Sequence, residues 1–592
     1  MEAEKRKDRR RLLAAANHQI PCDITIGNAV IFDVFTGALT PGSVDILDGV
    51  IVSVRESAAG DAGYARTYYD AAGQFLLPGF IDTHIHVEST MMIPENFARA
   101  VLPCGTTTVM TDPHEAANVA GTAGVRFMLD NGRKTPLRQY VLAPSCVPSV
   151  PGLECSGASF GASEVGRLLD LPGVAGIGEV MDYVNVCRDE ERMHSILQEG
   201  LQRGAFIQGH APKLMGEALS AYIVAGPESD HECRSRQECA LKQRLGMHVN
   251  LKSSSLSNHL AENLQAVKTQ RWMDSVSICT DDVHARKLLE EGHINRVIRE
   301  AISYGADPME LYRCATYNAA REYRFRDLGA VAPGYVADLQ LLKALDGGMP
   351  SAVFVGGRLA ARDGVYCAED CSSPAEPPEN PMRLEYLTGP EAFRLPAPSG
   401  AGSTAEALVI HSKYQGSPFN QGFYEQVPVR DGYVDISSQP DLQYCCVCNR
   451  YGTGRHTVGL MRNFGLKRGA LTATVAHDSH NLTLIYRDPA DAWLALDALR
   501  RAGGGFAVAD GGKLLAVLPL PVLGLMSDRP AAELVPQIAA VEEALASISD
   551  GSCYLLKGAT MALPVLPGTL ITDCGLVDGP TQKILPLFSA GR

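Results

Sequence analysis

The sequence predicts an α/β protein: a (β/α)8 barrel with a split small β-sandwich domain and an additional C-terminal α+β domain. Three observations predict it. Residues 76–326 alternate short apolar runs with helical segments, and this length suits eight βα units. Short strand-like stretches broken by turn residues lie on both sides of that region. After a segment rich in Pro, Ser, Glu and Gly, alternating strands and helices resume and continue to the end.

In chain order, residues 1–22 are an N-terminal extension, and residues 23–75 plus 327–365 make the composite small domain. Its first half reads as strands such as Asp23-Ile24-Thr25-Ile26 and Ile51-Val52-Ser53-Val54, with turns at Pro41-Gly42 and Asp48-Gly49. Its second half repeats the pattern at Val353-Phe354-Val355-Gly356-Gly357. Residues 76–326 form the catalytic barrel, with strands predicted to end near His86, Asp112, Ser145, Glu179, His210, His231, Leu251 and Asp281. Residues 366–405 are a linker containing Ser372-Ser373-Pro374, and 406–592 are the C-terminal domain.

Composition narrows the function. A chain of 592 residues with 46% hydrophobic and 20% charged residues is that of a multidomain globular protein. The net charge of −14 argues against nucleic acid or an anionic membrane as a partner and favours a small-molecule substrate. The start, Met1 to Arg11, is charged and lacks a secretory apolar run, and no stretch is long enough to span a bilayer. The 16 cysteines lack paired spacing, so reduced thiols and a cytoplasmic location are expected. Cys445-Cys446-Val447-Cys448 sits in a strand-like stretch and reads as structural.

The strand ends carry the chemistry. His84 and His86 lie two apart at the end of an apolar run, so both rings face one side. Later ends offer Glu179, His210, His231 and Asp281. Singly, each is as well explained by a core hydrogen bond or a helix cap. Together, four imidazoles and two carboxylates can hold two divalent metal ions, with Glu179 bridging them. Such ions acidify water enough to yield a nucleophile at neutral pH, and Asp281 is placed to move its proton to a leaving nitrogen. Asp112 and His114 flank Pro113 and could orient the water through Asp281, or form a turn with a buried imidazole. Glu88 and Ser89 follow the metal strand and are candidates for substrate binding. An acid must protonate the substrate ring, and Glu88, Glu115 and Glu232 all remain open for that task.

The chain resembles the amidohydrolase superfamily and, within it, the adenine deaminase family. The resemblance rests on Pro78-Gly79-Phe80-Ile81-Asp82-Thr83-His84-Ile85-His86-Val87-Glu88-Ser89, Thr111-Asp112-Pro113-His114-Glu115 and Gly178-Glu179-Val180-Met181. It extends to Val475-Ala476-His477-Asp478-Ser479-His480-Asn481 in the C-terminal part. It implies hydrolytic deamination of adenine to hypoxanthine and ammonia, with manganese or iron as the metal and zinc also usable. It further implies a homo-oligomer, a dimer or higher. The alternative is an amidohydrolase acting on another aminated purine or heterocycle, or on a cyclic amide. One stretch departs from the family: Lys252-Ser253-Ser254-Ser255 stands where an Arg-Glu-Gly-Ser run is usual. The His477–Asn481 block either closes over the barrel mouth or forms a turn within its own domain.

Overall fold

The computed structural model describes residues 8–56, 64–370, 375–412 and 419–589. Residues 1–7 of the extension and the linker stretch Ser372-Ser373-Pro374 lie outside the described residues. Within the extension, Asp8 caps the helix Arg9–Ala16, accepting hydrogen bonds from the N–H groups of Arg10 and Arg11. Leu12 and Ala15 pack against Cys22, Leu47, Val50 and Val52, so this helix is docked on the first strands.

The small domain is one hydrogen-bonded ladder of nine strands. Strands from before and after the barrel meet inside it, because Leu339–Leu342 runs antiparallel to Phe75–Pro78 with Leu339 opposite Pro78 and Leu342 opposite Phe75. The ladder curls enough for Ile26, Val44 and Ile46 to share an apolar interior with Leu339, Leu341 and Phe354.

Eight parallel strands lie between these halves: β1 (Phe80–Ile85), β2 (Thr106–Thr111), β3 (Arg138–Ala143), β4 (Val174–Val180), β5 (Phe206–Gly209), β6 (Ser229–Asp230), β7 (His248–Lys252) and β8 (Val276–Cys279). β1 to β5 form one sheet and β6 to β8 another. Backbone bonds cross both seams. Glu228 N–H donates to Ile207 O at 2.9 Å beside β5, and Asp281 N–H donates to His84 O at 2.9 Å beside β1. β1, β2 and β8 are buried at every position, although polar residues such as Asp82, Thr106 and Ser277 interrupt their apolar ones.

The C-terminal part contains a second nine-stranded sheet, the helices Pro489–Ala502 and Ala531–Ser547, and a three-stranded sheet over residues 569–585. Its apolar side is continuous with the barrel: Ile85, Met91 and Phe97 belong to the same buried cluster as Val475, Leu523 and Met526. Cys445 packs on one side of its strand, and Cys446 and Cys448 on the other, as strand alternation requires. The segment 375–405 is packed as well, with Leu384, Leu387 and Phe393 in the core. Among the described residues no helix is long and apolar enough to cross a membrane.

Candidate active site

The six side chains named as ligands converge where β1, β4, β5, β6 and β8 end. His84 Nε2 lies 3.0 Å from His86 Nε2, and Asp281 Oδ1 is 3.3 Å from the first and 3.2 Å from the second. Glu179 reaches across the group. Its Oε1 is 3.5 Å from His86 Nε2, and its Oε2 is 2.5 Å from His210 Nδ1 and 3.1 Å from His231 Nε2. His84, His231 and Glu179 are at most 3% exposed.

The outer faces of the first two rings are already engaged. His84 Nδ1 meets Gln208 Oε1 at 2.7 Å, and His86 Nδ1 meets the Asp112 carbonyl at 2.9 Å. Gln208 is oriented for this by donating its amide to Thr83 O and Tyr323 Oη. An acceptor on each Nδ1 puts the proton there and leaves the Nε2 lone pair pointing inward. Two such lone pairs facing each other at 3.0 Å repel unless a cation lies beside them. Ligands about 2.0–2.2 Å from one ion stand roughly 3–4 Å apart, which is the spacing found here. The donor set therefore fits divalent cations.

The electrostatics agree. Burial and the neighbouring His84 push His231 down to about 3, which keeps it a neutral donor. Burial opposes ionisation of Glu179, but His210, His231 and His86 hold its carboxyl well below the usual range. Burial likewise opposes Asp281, and the Lys252 ammonium, with its Nζ 2.8 Å from Oδ2, overrides it. Asp281 has φ of +56°, a region Asp tolerates better than most residues. There its N–H bonds to His84 O and its side chain turns back over β1.

Asp112 stands behind Glu179, and its Oδ2 accepts the Glu179 N–H at 2.8 Å. Gly178 permits this approach, since a Cβ there would lie 2.2 Å from the Asp112 carboxylate. His114 Nδ1 is 3.5 Å from Glu179 Oε1. Both residues thus border the ligands and make no direct contact with Asp281.

A cavity of about 350 Å³ opens over the cluster. Of the four expected substrate-binding residues, Glu232 lines it. Glu88, Ser89 and Glu115, also expected there from their place in the chain, are not among the residues that line it. β1 stops at Ile85 and a 3-10 turn over Val87–Thr90 follows, so strand alternation ends before Glu88. Glu88 Oε1 instead accepts the Ala116 N–H, and the Ser89 hydroxyl lies between Glu115 and Asp282. Burial and the adjacent Glu115 push Glu88 up to about 8. The far wall of the cavity comes from the C-terminal part and includes Phe419, His477, Asp478, Tyr554 and Leu563. The His477–Asn481 block therefore reaches the barrel mouth.

Comparison with known proteins assigns the chain to a family. Residues 75–360 match the amidohydrolase family, and residues 419–583 match the adenine deaminase C-terminal domain. The chain is 37% identical to "Adenine deaminase 2" of Carboxydothermus hydrogenoformans, over 97% of this chain and 99% of that one. It is 37% identical to "Adenine deaminase" of Moorella thermoacetica over 98% of each chain, and 38% identical to "Adenine deaminase" of Serratia proteamaculans, again over 98% of each. The chain belongs to the adenine deaminase family.

Against that family, the departing loop resolves into one residue at the site and three away from it. Lys252 pairs with both Asp281 and Glu232. Ser253 bonds to Arg296 and Glu300, Ser254 caps its own turn, and the Ser255 hydroxyl accepts the His284 N–H. Gln208 borders the site without having been assigned from the sequence, and Lys252 was singled out there only as part of the departing stretch. Gln208 was findable, since it lies two residues before His210 and shares its face.

Proposed function

We propose that this member of the adenine deaminase family hydrolyses adenine to hypoxanthine and ammonia at the β-strand ends just described. In this reading the two parallel sheets close into one (β/α)8 barrel through the bonds at their seams. His84, His86, Glu179, His210, His231 and Asp281 hold two divalent ions, manganese or iron by preference and zinc as a substitute, with Glu179 between them. When bound, the ions lower the pKa of water so that a nucleophile exists at neutral pH. The observation that carries the proposal is the inward convergence of the four ring nitrogens, with the proton-bearing sides of His84 and His86 tied outward.

The remaining chemistry belongs to the chain. Asp281, kept ionised by Lys252, accepts the proton of the attacking water and returns it to the departing amino nitrogen. Glu232, between Lys252 and Arg234 on the cavity wall, is an acceptor for a purine ring N–H. Asp112 fixes the Glu179 backbone, and His114 buttresses its carboxylate. The cavity is of a size suited to one purine, and the C-terminal part supplies its far wall. The enzyme works in the cytoplasm as a homo-oligomer on this small molecule.

A second reading has one specific observation behind it. Lys252, which stands where the resemblance implies an arginine, touches Glu232, so recognition could favour another 6-substituted purine. A panel of adenine, other 6-substituted purines, guanine and adenosine, assayed for ammonia release by manganese-loaded protein, decides between them. Adenine as the best substrate supports the first reading. Release from another purine alone supports the second, and no release from any member rejects both.

A further inference from the structure

A second group of ligand-type side chains is buried beside the six-residue centre, between the barrel and the C-terminal part. His114 and Glu115 open the helix His114–Gly132, and His477 and Asp478 lie between the strands Ala470–Ala473 and Leu482–Tyr486. His114 Nε2 is 3.5 Å from Asp478 Oδ1. His477 Nδ1 is 3.9 Å from the same oxygen and 3.7 Å from Glu115 Oε1. One donor atom from each of His114, His477 and Asp478 falls within 4.8 Å of the others, and all three residues are at most 5% exposed.

These separations are too long for hydrogen bonds and suit ligands arranged around an ion. Both ring nitrogens of His114 and Asp478 Oδ2 are buried without a hydrogen-bond partner. Glu115, Asp282 and Asp478 crowd the region, and among the described residues no lysine or arginine forms an ion pair with any of them. Neighbouring groups set the tautomers. His480 Nδ1 accepts the Ala476 N–H, so its Nε2–H faces Glu115 at 3.3 Å and orients that carboxylate. His477 Nε2 lies 4.0 Å from Asp282 Oδ1, on the side of the ring away from Asp478.

We propose that His114, His477, Asp478 and Glu115 bind a third divalent cation of the first transition row, distinct from the pair at the strand ends. Two imidazoles and two carboxylates form a mixed nitrogen–oxygen set suited to manganese, iron or zinc. Its ligands come from both parts of the chain, so the ion ties the wall of the cavity to the barrel.

The test uses full-length protein loaded with manganese. Metal content after gel filtration should be three equivalents per chain. A crystal measured at the manganese edge should show an anomalous peak among these four residues. Asp478→Asn and His477→Ala should each lower the content from three to two. His84→Ala should instead remove metal from the strand-end pair, which separates failure of this site from failure of the proposed catalytic centre. Saturation of the wild-type protein at two equivalents, with no anomalous peak between His114 and Asp478, overturns the proposal. The peak is read on the wild-type protein, so the test decides even where a variant misfolds.

Discussion

Replacing Lys242 by methionine removes the cation from a sealed clamp behind two of the proposed ligands. The Lys242 side chain is fully buried, and its Nζ donates to Ala211 O at 2.6 Å, Asp230 Oδ2 at 2.8 Å and Glu238 Oε1 at 2.7 Å. Asp230 in turn accepts the N–H groups of Ala211 and Glu232. Glu238 accepts those of Lys213 and Arg234. The clamp therefore fixes the backbone immediately after His210 and after His231. Burial works against the ammonium, but Asp230 and the other anionic neighbours more than offset it and raise its pKa. Methionine matches the length and fills the space, so little of the loss is a cavity. What remains is two buried carboxylates without a counter-charge. Breaking a buried pair from one side costs about 3–5 kcal/mol. For a domain of this size, each kcal/mol lowers the melting temperature by roughly 2–4 °C, so a fall of roughly 6–20 °C is expected. Loosened support behind the ligands should also weaken metal binding about 10–100-fold. Scanning calorimetry and metal titration on wild-type and Lys242→Met protein measure the two effects. Adding Asp230→Asn should recover part of the loss, because it removes one stranded charge. A melting temperature within about 2 °C of wild type, with metal affinity unchanged, refutes the reasoning.

Asp281→Asn should lower turnover about 10²–10⁴-fold at saturating manganese, and an unchanged rate removes Asp281 from the proton path. Gln208→Leu deletes the acceptor on His84 Nδ1 and should weaken metal binding about 10–100-fold by titration, whereas equal affinity would show that the ring needs no such tether. Glu322 gives a pH signature. Burial pushes it up to about 8, against hydrogen bonds from Asn250 and Ser277 that lower it. Its folded pKa exceeds its unfolded one, so the stability it contributes is complete below about pH 4.5 and is lost as pH rises to about 8. Glu322→Gln should therefore gain stability relative to wild type across that window, and a difference in melting temperature that is flat with pH counts against the assignment.

Most of the proposed metal ligands were legible because they follow an apolar run that fixes which way the side chain points, His231 after Ser229-Asp230 being the exception. His84 and His86 share a face by strand alternation, and Glu179, His210 and Asp281 each sit at the end of a buried strand or just beyond it. Alternation says nothing about Glu88 and Ser89, because it stops where the chain turns into a 3-10 helix. Lys242 was invisible for a different reason. In sequence it is one of several charged residues on the short helix Arg236–Arg244, and only the fold buries it. The cavity wall formed by Phe419, Tyr554 and Leu563 could not be read either, since no local pattern joins residues that far from β1.

The pairing of Phe75–Pro78 with Leu339–Leu342 has a consequence for synthesis. The ribosome must add more than 260 residues after Pro78 before the neighbouring strand is available, which at 5–20 residues per second takes roughly 13–50 s. For that interval the nascent chain carries a bare edge with unsatisfied amides, open to any extended segment nearby. Premature termination anywhere before Leu339 leaves that edge exposed for good, so truncated products of this gene should be recovered as aggregates or be degraded.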